Sequence, residues 1–134
     1  MIDSQVKSKL AKIFQQFPGI QAVYRFGSSV TGKTHQESDL DLGVFSENPL
    51  SSTQKLDLQA VMVREGFDQV DLVFMEYDDI VLMHEAVKHN RIIYQVADFD
   101  RGSLYSQVIR QYLDFLPYLK VQREAYKKRI LSGQ

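Results

Sequence analysis

The chain has 134 residues, which is enough for one domain with a single core but too few for two. Its formal net charge of −1 provides no overall positive field, so we expect no DNA partner. The absence of cysteine excludes disulfides, thiolate catalysis and cysteine-ligated zinc. No apolar run approaches the roughly 20 residues of a membrane span, and the N-terminus lacks the apolar centre of a signal peptide. We therefore expect a cytoplasmic protein with no membrane partner.

The first half of the chain predicts one helix and then two strands. Val6, Leu10 and Ile13 recur at helical spacing within residues 3–17, and a Pro-Gly pair ends that helix. Residues 20–26 are rich in β-branched and aromatic side chains, which favours a first strand. The segment DLDLGVF, residues 39–45, predicts the second strand.

The second half predicts alternating helices and strands. Residues 51–66 and 78–90 have helical patterns, and residues 69–75 and 91–96 are strand candidates. From about Arg101 a helical pattern persists nearly to the end, with a kink or break expected at Pro117. The order α-β-β-α-β-α-β-α predicts a small mixed sheet flanked by helices, in the α/β (α+β) class.

Residues 27–34, GSSVTGKT, match the P-loop pattern G-x-x-x-x-G-K-[ST]. A P-loop needs a helix directly after the glycine-rich turn, with its N-terminal amides aimed at phosphate. Here only HQES separates the match from the next predicted strand, whereas a crossover between parallel strands needs about a dozen residues or more. We therefore interpret the P-loop match as accidental.

The same region contains a second pattern, in which Gly27-Ser28 is followed ten residues later by Asp39-Leu40-Asp41. Side chains alternate across a strand, so Asp39 and Asp41 share one face while Leu40, Leu42 and Val44 can pack in the core. Asp71 is likewise an acidic residue within the otherwise apolar third predicted strand. An acid embedded in such a strand is costly unless it is paired or bound to metal.

Three carboxylates from two strands are the ligands that two-metal phosphoryl or nucleotidyl transfer requires. Simpler interpretations stay open for each acid taken alone. Asp39 could cap the turn before its strand, because aspartate is common in turns. Asp71 could form a structural ion pair with Arg25 or Arg64.

With these residues the sequence resembles the DNA polymerase beta-type nucleotidyltransferase superfamily, whose pattern is Gly-Ser, D-x-D and a third acid on a later strand. It is most similar to the minimal nucleotidyltransferase (MNT) domains of the MntA antitoxin type, which sit beside HEPN-domain toxins. Residues 112–117, YLDFLP, also resemble the closing helix of those proteins. The resemblance covers most of the chain and implies one domain over residues 1–134, with a catalytic core at 1–98 and a C-terminal helical segment at 99–134.

The resemblance implies a role for each residue of the pattern. Asp39, Asp41 and Asp71 would bind two Mg²⁺ ions, and Asp71 could also accept the proton of the nucleophile. Gly27 and Ser28 would contact the phosphates of ATP, the substrate. Many relatives carry basic residues just after Gly-Ser, where this chain has serine and threonine, so we expect Lys33 to contact the triphosphate instead.

The implied function is that of an antitoxin, which transfers AMP from ATP to a tyrosine hydroxyl of a cognate HEPN toxin and silences it within a hetero-oligomeric complex. One alternative is transfer to a small hydroxylated molecule, as in the aminoglycoside nucleotidyltransferases. Another is a non-catalytic antitoxin that inhibits its partner by binding alone.

His35, His84 and His89 lack metal-ligand spacing. The terminal helix either covers the sheet or offers a partner surface.

Overall fold

Four helices and four strands make up the part of the chain that a computed structural model describes, residues 4–26 and 41–131. Their order confirms the predicted α-β-β-α-β-α-β-α arrangement. In chain order the elements are α1 (Ser4–Gln15), β1 (Ile20–Phe26), β2 (Asp41–Ser46), α2 (Ser52–Arg64), β3 (Asp71–Phe74), α3 (Ile80–Val87), β4 (Ile92–Gln95) and α4 (Arg101–Leu131).

Local side-chain hydrogen bonds explain where three of the helices begin. Ser51 and Gln54 form a capping box at α2, with Gln54 N donating to Ser51 Oγ at 3.1 Å and Ser51 N donating to Gln54 Oε1 at 2.9 Å. Asp79 caps α3 by accepting from Leu82 N at 3.2 Å. Asp100 accepts from Ser103 N at 3.0 Å at the start of α4. These bonds satisfy amides that have no partner within their own helix.

The strands form one mixed sheet in the order β3-β2-β1-β4. β1 pairs antiparallel with both β2 and β4, whereas β2 and β3 run parallel and are joined through α2. Consequently, the C-terminal end of β1 and the N-terminal ends of β2, β3 and β4 all lie at one end of the sheet. We call this the Asp41 end, after the residue that begins β2.

Hydrophobic side chains cover both faces of this sheet. On one face, Leu42 and Val44 pack with residues of α1 and α2, including Leu10, Phe14 and Leu58. On the other face, the packed residues come from β1, β2, α3, α4 and the position just after β3: Ala22, Tyr24, Phe26, Phe45, Met75, Met83, Ala86, Val87 and Val108. The predicted packing of Leu42 and Val44 is confirmed. Asp41 lies on the other face of β2, at the end of the strand. The next residues on that face, Gly43 and Phe45, are covered by α3 and α4.

Helix α4 is continuous from Arg101 to Leu131 and includes Pro117. The prediction of a helix over this segment is confirmed, but a break at Pro117 is wrong. A proline removes one backbone hydrogen bond, and the helix-favouring residues after it, among them Leu119, Lys120 and Gln122, sustain the helix on the far side. None of the helices within residues 4–26 and 41–131 has the length and apolarity to cross a bilayer.

A stacked aromatic pair joins α3 to α4. The rings of His84 and Tyr112 lie with their centroids 3.6 Å apart and their planes 3° from parallel. Burial at this contact lowers the pKa of His84, with a smaller lowering from Lys88 and an opposing rise from Glu85. His84 is therefore part of the helix packing, as expected from its lack of metal-ligand spacing.

Tyr24 is the largest fully buried side chain of the core in the described part of the chain. Its ring packs edge-on against Phe45 with centroids 5.2 Å apart, while its hydroxyl has no hydrogen-bond partner among residues 4–26 and 41–131. Burial raises the pKa of Tyr24, and the nearby charge of Arg101 lowers it to a smaller extent. A buried hydroxyl without a partner loses its hydration with nothing in return.

We therefore expect Tyr24→Phe to leave the free energy of unfolding unchanged or to raise it by up to about 1 kcal/mol. Tyr24→Ala should lower it by about 3–5 kcal/mol, because it opens a cavity in the same place. Urea unfolding followed by circular dichroism measures both. A loss above about 1 kcal/mol in Tyr24→Phe would show that the hydroxyl makes a stabilising bond.

Candidate active site

Asp41 and Asp71 are neighbours across two strands. In the parallel pairing of β2 with β3, Asp41 is in register with Asp71, Leu42 with Leu72 and Val44 with Phe74. Neighbouring strands lie about 4.8 Å apart, and residues in register point to the same face. Two carboxylates from separate strands therefore lie side by side at the end of the sheet. Asp41 is half-buried and Asp71 is exposed, so solvent reaches the pair.

Gly43 lies two residues beyond Asp41 on the same face. A Cβ atom there would be 2.8 Å from Met75 Cε and 3.5 Å from the Cβ atom of Ala86. A glycine at this position lets α3 pack closely on the sheet directly below the carboxylates. The buried core therefore begins one side-chain position inward from Asp41, and the two strands that carry the acids are held in place by that packing.

Asp71 is not a member of a structural ion pair in the described part of the chain. Two ion pairs among the described residues join Arg64 to Glu65 at 4.0 Å and Lys88 to Glu85 at 3.0 Å. The alternative in which Asp71 pairs with Arg64 is therefore wrong, and none of these pairs joins Asp71 to Arg25. Because its neighbour in register is another carboxylate, Asp71 adds to the negative charge at the Asp41 end.

The remaining residues of the predicted site, Gly27, Ser28, Lys33 and Asp39, lie outside the described residues, as does His35. Phe26 and Asp41, which flank that segment in sequence, are paired in register across β1 and β2. Within the described residues there is no cluster of three potential metal-ligating side chains. Of the three predicted acids, the structure describes Asp41 and Asp71, and these two lie side by side.

The Asp41 end also carries two arginines that are not part of the Gly-Ser and D-x-D pattern. Arg25 N donates to the carbonyl oxygen of Arg91 at 2.8 Å, which places Arg91, the residue before β4, beside an arginine of β1. Burial lowers the pKa of Arg25, and the positive charge of Arg91 lowers it further. No motif contains these arginines, and only the pairing of β1 with β4 brings them together.

A polar contact fixes the turn before β4 at the same end. Arg101 donates from Nε to Asn90 Oδ1 at 2.9 Å and from its terminal nitrogen to the Asn90 carbonyl oxygen at 2.6 Å. Asn90 has a φ of 53°, in the left-handed region that asparagine tolerates better than most residues. Asn90 is the last residue of the helical pattern at 78–90, and that pattern did not indicate this contact.

The strand topology excludes the P-loop interpretation of residues 27–34. A P-loop belongs to a strand–helix–strand unit, in which a long crossover leads to a parallel strand. Here the strand before the match, β1, pairs antiparallel with the strand after it, β2, in the register Phe26 to Asp41. Only six residues separate Thr34 from the start of β2, which leaves no room for the crossover.

A groove of about 400 Å³ lies at the opposite end of the sheet from Asp41. Most of the residues that line it lie at or just after the C-terminal ends of β2 and β3, including Ser46, Glu47, Glu76, Tyr77 and Asp78. Burial raises the pKa of Tyr77 in this position. The groove and the paired aspartates are therefore separate features of the molecule.

The sequence profile of the family described as polymerase beta, nucleotidyltransferase, matches residues 8–98. This match covers more than half of the chain, including all four strands and all three predicted acids. The chain belongs to this nucleotidyltransferase family.

Two relatives bear the name of protein adenylyltransferase MntA, one of them as a probable one. Protein adenylyltransferase MntA of Shewanella oneidensis is 27% identical over 86 residues, which are 63% of this chain and 62% of the relative. The probable protein adenylyltransferase MntA of Haemophilus influenzae is 37% identical over 71 residues, which are 53% of this chain and 58% of the relative. The aligned region thus spans less than two thirds of either relative.

Solved structures share the fold over nearly the whole chain. A chain of the crystal structure of a toxin–antitoxin with AMP-PNP superposes with a TM-score of 0.70 at 23% identity, covering 93% of this chain and 98% of that one. A chain of the tri-AMPylated Shewanella oneidensis HEPN toxin in complex with MNT antitoxin gives a TM-score of 0.65 at 21% identity, covering 93% and 95%. These likenesses confirm the predicted polymerase beta-like nucleotidyltransferase fold with a long C-terminal helix.

The paired aspartates should lower the stability of the metal-free protein. Like charges opposite each other on neighbouring strands repel, so Asp71→Asn should raise the free energy of unfolding by about 0.5 kcal/mol in the presence of EDTA. The matched control is Asp68→Asn, an exposed acid in the loop before β3, which should change stability by less. Urea unfolding at low ionic strength measures both. Equal effects of the two substitutions would show that Asp41 and Asp71 do not repel each other.

Proposed function

We propose that this chain is an antitoxin that acts as a Mg²⁺-dependent protein adenylyltransferase, transferring AMP from ATP to a tyrosine hydroxyl of a cognate HEPN toxin. The observation that supports it most directly is the register of Asp41 with Asp71 at an open sheet end. Membership of the nucleotidyltransferase family and the two MntA adenylyltransferases among its relatives support the same reaction.

The described residues fit a divalent cation. Mg²⁺ prefers carboxylate oxygens and retains several waters, and the pair of Asp41 with Asp71 offers adjacent carboxylates that solvent can reach. A cation there would relieve the repulsion between the two acids. We assign Asp39, Asp41 and Asp71 as the ligands of two Mg²⁺ ions. The ions would supply charge stabilisation at the phosphates and a more acidic attacking hydroxyl.

The remaining assignments concern the nucleotide and the proton. Gly27 and Ser28 contact the phosphates of ATP, and Lys33 contacts the triphosphate. The phenol oxygen of the acceptor tyrosine forms a bond to the α-phosphorus, the bond from that phosphorus to the bridging oxygen breaks, and pyrophosphate leaves. Asp71 accepts the phenol proton. A tyrosine with an unperturbed pKa near 10 needs such help at neutral pH.

A protein acceptor suits the size and charge of the chain better than a nucleic acid does. With a formal net charge of −1, the chain lacks the positive field that holds a polymer. The crystallised relatives include an AMPylated HEPN toxin in complex with an MNT antitoxin. We extend the proposal to a hetero-oligomer with a HEPN toxin in the cytoplasm. In this chain, residues 1–98 are then the catalytic core and 99–134 the helical segment.

The test is to incubate the purified chain with ATP, Mg²⁺ and the product of the adjacent gene, and then to weigh that product by mass spectrometry. The expected result is a gain of one or more AMP residues on a tyrosine, which disappears when EDTA replaces Mg²⁺. An unchanged mass under conditions where the two proteins bind each other would refute the proposal.

Two substitutions separate catalysis from inhibition by binding alone. Asp41→Asn and Asp71→Asn should each slow AMP transfer by at least about 100-fold, since each removes charge stabilisation from the transition state. Asp57→Asn, an exposed acid on α2, should have no effect. If the Asp41 and Asp71 variants still neutralise the toxin as well as the native chain does, the protein works by occlusion and not by adenylylation.

A further inference from the structure

The groove at the opposite end of the sheet from Asp41 is formed where two parallel strands end. β2 ends at Ser46 and β3 ends at Phe74, and both residues line the groove. Its volume of about 400 Å³ is within the range of sites that bind small organic molecules, about 300–1,000 Å³. In open α/β sheets, ligands commonly bind in the crevice beyond the carboxyl ends of parallel strands. The position and size of the groove therefore suit a small ligand.

The charged lining of the groove is mainly acidic. Glu47 follows β2, and Glu76 and Asp78 follow β3, so the acids come from two separate loops. All three are exposed, and in the described part of the chain none of them forms an ion pair. Lys55, which also lines the groove, has its ammonium group 5.2 Å from the centroid of the Phe74 ring. This contact shows that an ammonium group fits against the aromatic wall, so the groove favours a cation over an anion.

Ser46 contributes a buried hydroxyl group to the same groove. The residue is only 9% exposed, and its side chain lies on the same face of β2 as Val44, two positions along the strand. Phe74 is in register with Val44 and lies on that face too. None of the side-chain hydrogen bonds among residues 4–26 and 41–131 involves the Ser46 hydroxyl. Because a buried polar group without a partner costs free energy, this hydroxyl is suited to bind a polar ligand in the groove.

An elongated ligand fits the groove better than a metal ion does. Within the part of the chain that the structure describes, no three potential metal-ligating side chains are close enough to share one ion. The three acids of the groove therefore do not converge on a single point. Much of the remaining lining is apolar or aromatic: Pro49, Leu50, Phe74, Met75 and the half-exposed Tyr77. A flexible chain that carries separate cationic groups joined by apolar segments matches both the acids and the apolar wall.

We propose that this groove binds an aliphatic polyamine, a chain of methylene groups that carries two or more ammonium groups. The ammonium groups are attracted to Glu47, Glu76 and Asp78, and the hydroxyl of Ser46 accepts a hydrogen bond from one of them. The methylene groups pack against the apolar lining. The site lies at the opposite end of the sheet from the paired aspartates, so the proposal goes beyond the proposed function and requires neither ATP nor a toxin.

The experiment is titration calorimetry of the full chain with spermidine, without ATP, at about 50 mM and about 500 mM salt. The expected result is saturable binding at low salt that becomes at least about tenfold weaker at high salt, because screening acts on the exposed acids. Butylamine, with a single ammonium group, should bind at least about tenfold more weakly than spermidine. No saturable binding of spermidine at low salt would overturn the proposal. Butylamine binding as tight as that of spermidine would contradict it as well, because the groove would then recognise one cation, such as a lysine side chain.

Substitutions in the groove test where spermidine binds. A variant that combines Glu47→Gln, Glu76→Gln and Asp78→Asn should bind spermidine at least about tenfold more weakly at low salt, since it removes all three negative charges. Ser46→Ala should weaken binding by about threefold, because it removes one hydrogen bond to the ligand. Native affinity in the triple variant, with an unchanged circular dichroism spectrum, would show that spermidine binds elsewhere and would overturn the assignment.

The matched control neutralises three exposed acids outside the groove, in the variant Asp57→Asn, Asp68→Asn and Asp98→Asn. It changes the net charge as much as the groove variant does but should keep the native affinity for spermidine. If this control weakens binding as much as the groove variant does, the effect belongs to net charge and the assigned site is wrong.

Discussion

The parallel register of β2 with β3 is the constraint on which the site depends. It pairs Asp41 with Asp71 while it also pairs Leu42 with Leu72 and Val44 with Phe74. Because side-chain direction alternates along a strand, a slip of one residue would turn the acids to opposite faces and expose the apolar residues. The burial of Leu42 and Val44 therefore fixes the position of the two carboxylates. Hydrophobic packing holds together two charges that repel each other.

The rest of the fold supports that arrangement from both faces of the sheet. Helices α1 and α2 cover one face, and α3 and α4 cover the other up to the position of Gly43, just inside Asp41. Solvent still reaches the end of the strands. A site of this kind keeps its acids fixed on rigid strands and leaves room for a nucleotide and an acceptor hydroxyl. Rigid placement of charged groups is the main way in which an enzyme stabilises developing charge.

The sequence pattern predicted the features that depend on local periodicity. The strand at residues 20–26, the strands that begin at Asp41 and Asp71, and the long final helix follow from local sequence pattern alone. Features that depend on tertiary contacts were not predictable from local pattern. These are the packing of α3 and α4 on the sheet face next to Asp41, the backbone hydrogen bond between Arg25 and Arg91, and the hydrogen bonds of Arg101 to Asn90. The break expected at Pro117 did not form, because a proline removes one backbone hydrogen bond while the helix-favouring residues after it sustain the helix.

The measurement that tests the central claim most directly is the affinity for Mn²⁺, which shares the oxygen ligands of Mg²⁺, in a double-mutant cycle of Asp41→Asn and Asp71→Asn. If both carboxylates bind one ion, titration calorimetry should show that either substitution alone weakens Mn²⁺ affinity by at least about tenfold. The double variant should lose much less affinity than the product of the two single losses, which corresponds to a coupling free energy of about 1 kcal/mol or more. Unchanged affinity in both single variants, or strictly independent losses, would contradict a shared cation between the two strands.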